Sequence, residues 1–428
     1  MHAVVLRRTA VVVVAAVLLV VGYAVFQYAS LSRGIQKSDV LAGPVATGSS
    51  SAAPHRPQPP SVAHADTNIL IMGLDSRLDE NGKPLPKEMY DALHSGNQSD
   101  GGLNANVLML LHIPGDGSRA TEISIPRDDE VALAGCPDKE CTGKIKGAYG
   151  LAFDQESKAI AGDTSLDATQ RHQKARDAGR KAQIETVQTF LGDVHIDHFV
   201  EVTMAAFYQL AQVVQPITVC VTQDTEDRFS GANFHQGQQQ IDAAQAVAFV
   251  RQRRDEHHPE LNFTDLDRER RQQAFIASLA TQLKQAGTLA NPVKLSGIID
   301  VTKQNTAIDS GLNLISFAQQ ASSMAGGNVT FYTLPIDHFG KNAHGEDVNV
   351  VNLEQIRATV KQLLSPPSAT PAPTASGPAA SGPAASGSAT SGVPRAATPV
   401  PATGPGPRQS QEPSASGSGK PGGTCRNR

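Results

Sequence analysis

The chain has 428 residues, a formal net charge of −4 at pH 7, four cysteines and no tryptophan. That length exceeds one ordinary domain, and four cysteines are too few for a disulfide scaffold. The near-neutral balance, with aromatics at only 4%, excludes a nucleic-acid partner read through a basic, base-stacking surface.

Thr9 to Phe26 form an unbroken apolar run of about 18 residues, long enough to cross a bilayer as a helix. Arg7 and Arg8 precede it, which favours an N-terminus inside and the remainder outside. We assign 1–8 to a short cytoplasmic N-terminus and 9–30 to a transmembrane signal-anchor helix in the cytoplasmic membrane. A cleaved signal peptide is the rival, but the suitable small-x-small site, Ala63-His64-Ala65, lies far past the apolar run. Residues 31–65 read as a disordered Pro/Ser/Ala-rich linker.

Folded sequence starts at Thr67. NILIMG predicts a short buried strand that delivers Asp75, Ser76 and Arg77 at its end. Ligands of open α/β sheets bind at such strand ends. Leu78 to Gly102 reads as a long loop with a helical turn. NVLMLLHI and ATEISIP predict two strands joined as a hairpin, and Pro126 then presents Arg127, Asp128 and Asp129. Cys136 and Cys141 have metal-ligand spacing but no second pair with nearby histidines, so a local disulfide is expected outside the cytosol. Lys144, Lys146 and Gly147 precede a helix. Asp154 to Gln183 is charged and reads as one exposed helix or an insertion. DHFVEV, FYQLAQVV and PITVCV alternate strand, helix and strand, which indicates a layered α/β domain. Helices are expected at Pro292–Thr302, Leu312–Met324 and Leu353–Leu364, and a strand at Val329–Leu334. Residues 366–428 are a Pro/Ala/Ser/Gly-rich tail that cannot bury enough apolar surface to order itself.

The chemistry-bearing stretch is Phe249 to Phe275, FVRQRRDEHHPELNFTDLDRERRQQAF, with six arginines and six carboxylates. In extended chain Arg251 and Arg253 point to one side; on a helix Arg268 and Arg271 share a face. Two such pairs across a loop can converge on one anion, which the planar arginine fork binds in bidentate fashion. A solvated helix face laced with salt bridges is the competing reading of the same spacing.

The strings NILIMGLDSR, VLMLLHIPGD, ISIPRDD, KIKGAYG, IDHFVEV, GQQQIDAAQAVAFVRQRR and DLDRERRQQAF, in this order, resemble the LytR-CpsA-Psr family of cell-wall glycopolymer ligases. The resemblance covers residues 66–365. It implies one α/β domain of three layers, a central mixed sheet flanked by helices, with an apolar pocket for a polyprenyl chain. It also implies an extracytoplasmic phosphotransferase. A glycan on polyprenyl pyrophosphate would be moved to the muramic acid 6-hydroxyl of peptidoglycan. By that resemblance Arg127, Arg251, Arg253 and Arg268 line the diphosphate site and Asp75 binds Mg2+ (or Mn2+). Arg77 and Asp265 position these groups, or Asp265 accepts the hydroxyl proton. Lys144, Lys146 and Arg271 are supports. Many relatives carry Arg-Ser-Asp-Thr where this chain has Asn104, Ala105, Asn106 and Val107. The amides of Asn104 and Asn106 can bind substrate oxygens but add no charge, leaving Asn106 or Asp100 beside the metal. This variant resembles relatives from arabinogalactan-walled bacteria, so arabinogalactan is the expected glycan. A polyprenyl-pyrophosphate pyrophosphatase and a non-catalytic binder of prenyl phosphates or wall polymer are the alternatives.

Overall fold

A computed structural model describes residues 27, 29–42, 65–98, 102–259, 265–285, 291–313, 317 and 329–365. In chain order the strands are β1 (Gln36–Ser38), β2 (Thr67–Leu74), β3 (Ala105–Ile113), β4 (Ala120–Ser124), β5 (Glu130–Ala132), β6 (Thr142–Lys144), β7 (His198–Thr203), β8 (Ile217–Val221), β9 (Thr225–Asp227), β10 (Ala232–Phe234), β11 (Gly237–Ile241), β12 (Thr306–Asp309), β13 (Val329–Thr333), β14 (His338–Lys341) and β15 (Asp347–Val350). The helices are α1 (Lys87–Ala92), α2 (Gly147–Ala159), α3 (Ala168–Phe190), α4 (Met204–Val214), α5 (Ala243–Arg251), α6 (Asp265–Gln285), α7 (Pro292–Asn305) and α8 (Leu353–Leu364).

Seven strands form one sheet in the order β1-β12-β7-β2-β3-β4-β13. It is mixed: β2 pairs antiparallel with β3 and parallel with β7, and β13 runs parallel to β4. TNILIMGL and ANVLMLLHI carry apolar residues toward both faces because helices cover both. Leu70, Met72, Leu108, Leu110 and Ile123 pack on one face with Tyr149 of α2, Val187 of α3 and Ile356 of α8. On the other face Ile69, Leu111 and Ile113 are buried, with Ile71 and Val200 packed against them. A second cluster joins Val219, Phe234 and Ile241 to Phe249 of α5 and Phe275 of α6. The expected α/β domain with a central mixed sheet and flanking helices is therefore present.

Three expectations change. The linker expected at 31–65 is ordered at its start. Residues 29–34 are helical, Ile35 is buried, and Gln36–Ser38 pairs with β12 at the sheet edge. A three-residue strand has no periodicity to read, and its partner is distant in sequence. The charged stretch 154–183 is not an exposed helix. Its arginines Arg176 and Arg180 are fully buried against Glu80 and Glu201. Sequence alone cannot tell a salt-bridged face turned inward from a solvated one. Third, the small pairs β5–β6, β9–β10, β8–β11 and β14–β15 went unread except for β8, their strands being three to five residues long. The hairpin β3–β4 and helix α8 stand where expected. The expected membrane span lies almost wholly outside the described residues, as do Asp100 and the tail; most of the helix expected at Leu312–Met324 does too. Among the described residues no helix is long and apolar enough to cross a membrane.

Candidate functional site

The site is built where β2 ends and β3 begins. Between Gly73 and Leu74 the register shifts, Gly73 facing Val107 and Leu74 facing Ala105, which leaves Asn106 as the extra residue of a bulge. Bulges re-aim side chains in this way. Gly73 is required there: a Cβ on it would lie 2.8 Å from Val107 Cβ. Beyond the bulge the Asp75 amide donates to the Asn104 carbonyl at 3.0 Å.

Two groups of charged side chains gather around this point. In the first, the Arg77 guanidinium donates to the Asp75 carboxylate and to the Ser95 carbonyl, the latter at 3.0 Å. The Tyr90 hydroxyl donates to the Arg77 carbonyl at 2.7 Å and accepts from the Leu85 amide at 2.9 Å, which fixes the loop. Arg251 is the last residue of α5, a helix started by a capping box of Asp242 and Gln245. Its guanidinium donates to the Leu93 carbonyl. Burial holds its pKa below the usual arginine value; Asp75 opposes this, while Arg77 and Arg253 reinforce it. The turn 93–95 thus seats both Arg77 and Arg251. Arg253 is exposed, and its amide donates to the buried Asp227 carboxylate at 3.1 Å.

In the second group, Arg127 Nη1 donates to the Asn106 amide oxygen at 2.6 Å. Lys146 Nζ lies 2.5 Å from Asp128 Oδ1, and Arg127 Nε lies 3.4 Å from Asp128 Oδ2. Burial disfavours the Asp128 charge, but Arg127, Lys146 and Arg268 outweigh it and hold the carboxyl below its usual range. Burial and Arg127 together push the Lys146 ammonium down, against Asp128. Main-chain bonds tie this group to the first: the Lys146 amide donates to the Arg127 carbonyl at 3.1 Å, and the Ala105 amide to the Lys146 carbonyl at 3.0 Å.

Of the residues singled out in the sequence, Asp75, Arg77, Arg251 and Arg253 fall in the first group. Asn106, Arg127, Lys146 and Arg268 fall in the second. Asn104 joins the two through its main chain. Others behave differently from expectation. Arg251 is helical, so the alternation expected of an extended chain does not relate it to Arg253. Arg271 is buried; it donates to Gln252 and lies over the Phe249 ring at 5.6 Å, so it holds α6 against α5. Lys144 reaches toward Glu346 at 3.8 Å. The Asp265 side chain lies outside the described residues. The Cys136–Cys141 disulfide is present and closes the turn between β5 and β6. Two members were missed. Asp128 stands beside Arg127 in the PRDD string but was given no role in the site. Asp227 carried no signal, being one acid in a polar run.

Six cations, Arg77, Arg127, Lys146, Arg251, Arg253 and Arg268, stand in this arrangement with the carboxylates Asp75, Asp128 and Asp227. Partly buried like charges are costly unless an anion joins them. An oxyanion of high charge density is the fitting ligand. A hard cation can be held by one carboxylate plus ligand phosphates. Asp75, partly exposed, fits that part. Asn106 fits it less well, because Arg127 already occupies its carbonyl oxygen. Among the described residues no three His, Cys, Asp or Glu cluster as a protein-only metal site.

A model of the LytR_cpsA_psr family matches residues 41–365. The chain is 36% identical over 314 residues to the cell wall biosynthesis protein LcpA of Corynebacterium glutamicum, covering 73% of this chain and 58% of that protein. It is 28% identical over 275 residues to the probable cell wall biosynthesis protein LcpB of the same organism, covering 64% and 56%. At 24% identity over 298 residues it resembles a polyisoprenyl-teichoic acid–peptidoglycan teichoic acid transferase, TagU, of Oceanobacillus iheyensis, covering 67% and 74%. A crystal structure of B. subtilis TagV aligns at 19% identity with a TM-score of 0.47, covering 70% of this chain and 97% of that one. The chain spans little more than half the length of LcpA and LcpB. The family match extends over most of the chain and includes every element of the site: this protein belongs to the LytR_cpsA_psr family.

Proposed function

We propose that this protein transfers a glycan from a polyprenyl-pyrophosphate carrier to the muramic acid 6-hydroxyl of peptidoglycan, outside the cytoplasmic membrane. The observation that carries this reading is the gathering of Arg77, Arg127, Lys146, Arg251 and Arg268 where β2 ends and β3 begins. The relatives named above are a cell wall biosynthesis protein and a teichoic acid transferase, which supports the same class of reaction. The acceptor oxygen attacks the phosphorus that bears the sugar. The bond from that phosphorus to the bridging oxygen breaks, and polyprenyl phosphate leaves. We assign the hydroxyl proton to Asp265. Arg127, Arg251, Arg253 and Arg268 neutralise charge that builds on the phosphoryl oxygens and the leaving phosphate. Lys146 and Asp128 keep Arg127 in place. Asp75 would hold Mg2+ or Mn2+, which supplies further neutralisation of the diphosphate. The apolar carrier would lie along the sheet face that bears Ile71 and Val200. The Asn104-Ala105-Asn106 pattern favours arabinogalactan as the glycan. The run at 9–30 anchors the chain, and the Cys136–Cys141 disulfide accords with an oxidising compartment.

The test uses purified protein, a glycosyl polyprenyl pyrophosphate and peptidoglycan strands, with mass spectrometry for a phosphodiester-linked product. Product formation that requires the strands is expected. Release of glycan phosphate at the same rate with or without strands would instead make the protein a pyrophosphatase. Neither product nor release would leave it a binder.

A further inference from the structure

Phe229 stands at the tip of the hairpin β9–β10 with 71% of its surface exposed. An exposed phenyl on a hairpin tip is ordinarily a loose end. Here it is held. The buried Asp227 carboxylate accepts from the Phe229 amide at 3.0 Å and from the Ser230 hydroxyl at 2.9 Å. The same carboxylate accepts from the Arg253 amide at 3.1 Å, so one acid fixes both the tip and the arginine segment. The Arg254 guanidinium lies over the phenyl ring at 4.2 Å and sets its orientation. The tip also abuts the other wall of the site. Gly231, at φ +77°, sits so close to His94 that a Cβ there would lie 2.7 Å from its Nε2. His94 is the middle of the turn whose flanking carbonyls seat Arg77 and Arg251. The hairpin tip is therefore held from both sides at the rim of the charged site, with Arg254 over the face of its phenyl ring.

We propose that Phe229 and Arg254 form a binding platform for a sugar ring of the wall polymer, an inference that rests on the transferase reading for its place in the reaction. The C–H groups of a sugar face carry partial positive charge and settle on the electron-rich face of an aromatic ring. The guanidinium donates to ring hydroxyls and bears no acceptor of its own. A docked apolar protein segment would need a continuous apolar patch. Phe229 has none: its sequence neighbour Arg228 is exposed, as are Arg253 and Arg254, and the other exposed large apolar side chains among the described residues lie on other elements. A platform beside a diphosphate site suits a ligand that is a saccharide next to a phosphate. Donor and acceptor glycans share this chemistry.

The test measures calorimetric binding by the full chain to three probes: peptidoglycan glycan strands, lipid-free arabinogalactan, and polyprenyl pyrophosphate without sugar. Phe229→Ala is expected to weaken binding of one saccharide probe about tenfold. Binding of the sugar-free pyrophosphate and the melting temperature should not change. Phe229→Tyr keeps the ring and should retain binding; Phe339→Ala removes a distant exposed phenyl and should have no effect. A loss confined to strands places the platform on the acceptor side, and a loss confined to arabinogalactan places it on the donor side. Unchanged affinity of Phe229→Ala for both saccharides overturns the proposal, as does a wild-type protein that binds neither. Saccharide binding that depends on Phe229, in a protein that performs no transfer, would sink the transferase reading and leave the platform standing.

Discussion

Burial, Arg77 and Arg253 oppose the charge on Arg251, while Asp75 and Asp227 favour it, and its pKa lies below the usual arginine value. Such a group gains from the arrival of a diphosphate. Arg251→Ala and Arg127→Ala are each expected to lower transfer by roughly 10²–10³, the usual cost of one preorganised contact to a transition state. Replacement by Lys should fail as well, since a point charge cannot make bidentate contact. Melting temperatures should hold or rise, because like charges are relieved. Near-normal transfer in Arg251→Ala would refute the site. Glu122 poses a different problem. It is buried on β4, accepts from the Ser124 hydroxyl at 2.8 Å, and burial pushes its carboxyl up to about 8. The folded state then binds a proton that the unfolded state, near 4.5, has lost. Stability should fall as pH rises from about 4.5 through about 8 and level off above. Glu122→Gln should flatten that slope in melting curves; an unchanged slope would assign it to other groups.

The loop between β2 and α1 carries Arg77 and is clamped by an element far away in sequence. Glu80, from that loop, meets Arg176 and Arg180 of α3 and shares them with Glu201 of β7. Burial and Glu201 push Glu80 up; burial also opposes the charge on Glu201, but the two guanidinium groups prevail and pull it down. Removing Glu80 takes acceptor oxygens away from two fully buried guanidinium groups, Arg176 and Arg180. Glu80→Ala is therefore expected to cost about 3–5 kcal/mol in urea unfolding. A cost below about 1 kcal/mol would mean that water enters the cluster. At the bulge, Gly73→Ala must move Val107 or the strand itself. Because Asp75 follows directly and Asn106 is the bulged residue, transfer should fall more than the melting temperature does. The reverse order would make Gly73 a packing residue only. Helix α5 and strands β2 and β3 were legible because hydrophobic period and capping residues act within a few positions. The clamp was not legible, because charge on α3 reads identically whether it faces water or two buried glutamates.

The whole chain joins a predicted membrane span, an α/β domain and a Pro/Ala/Ser/Gly-rich tail. A phosphatase fused to the C-terminus should be active outside the membrane if the span at 9–30 is an uncleaved anchor. A mature N-terminus near Asp66 would contradict it. The tail's composition predicts that deleting 370–428 leaves the melting temperature unchanged, and a large drop would reveal packed structure there. The sequence by itself determined the layered α/β class, the local disulfide, the strand-end position of Asp75 and Arg77, and the types of residue that would meet an anion. These follow from short-range pattern and side-chain chemistry. Only the tertiary structure decided that β1 closes the sheet edge, that Arg271 holds helices together while Arg251 enters the site, and that Asp227 binds the Phe229 tip to Arg253. Each of these depends on which distant backbone groups come within hydrogen-bond reach, and burial fixes that only once the sheet and its two helical layers have assembled.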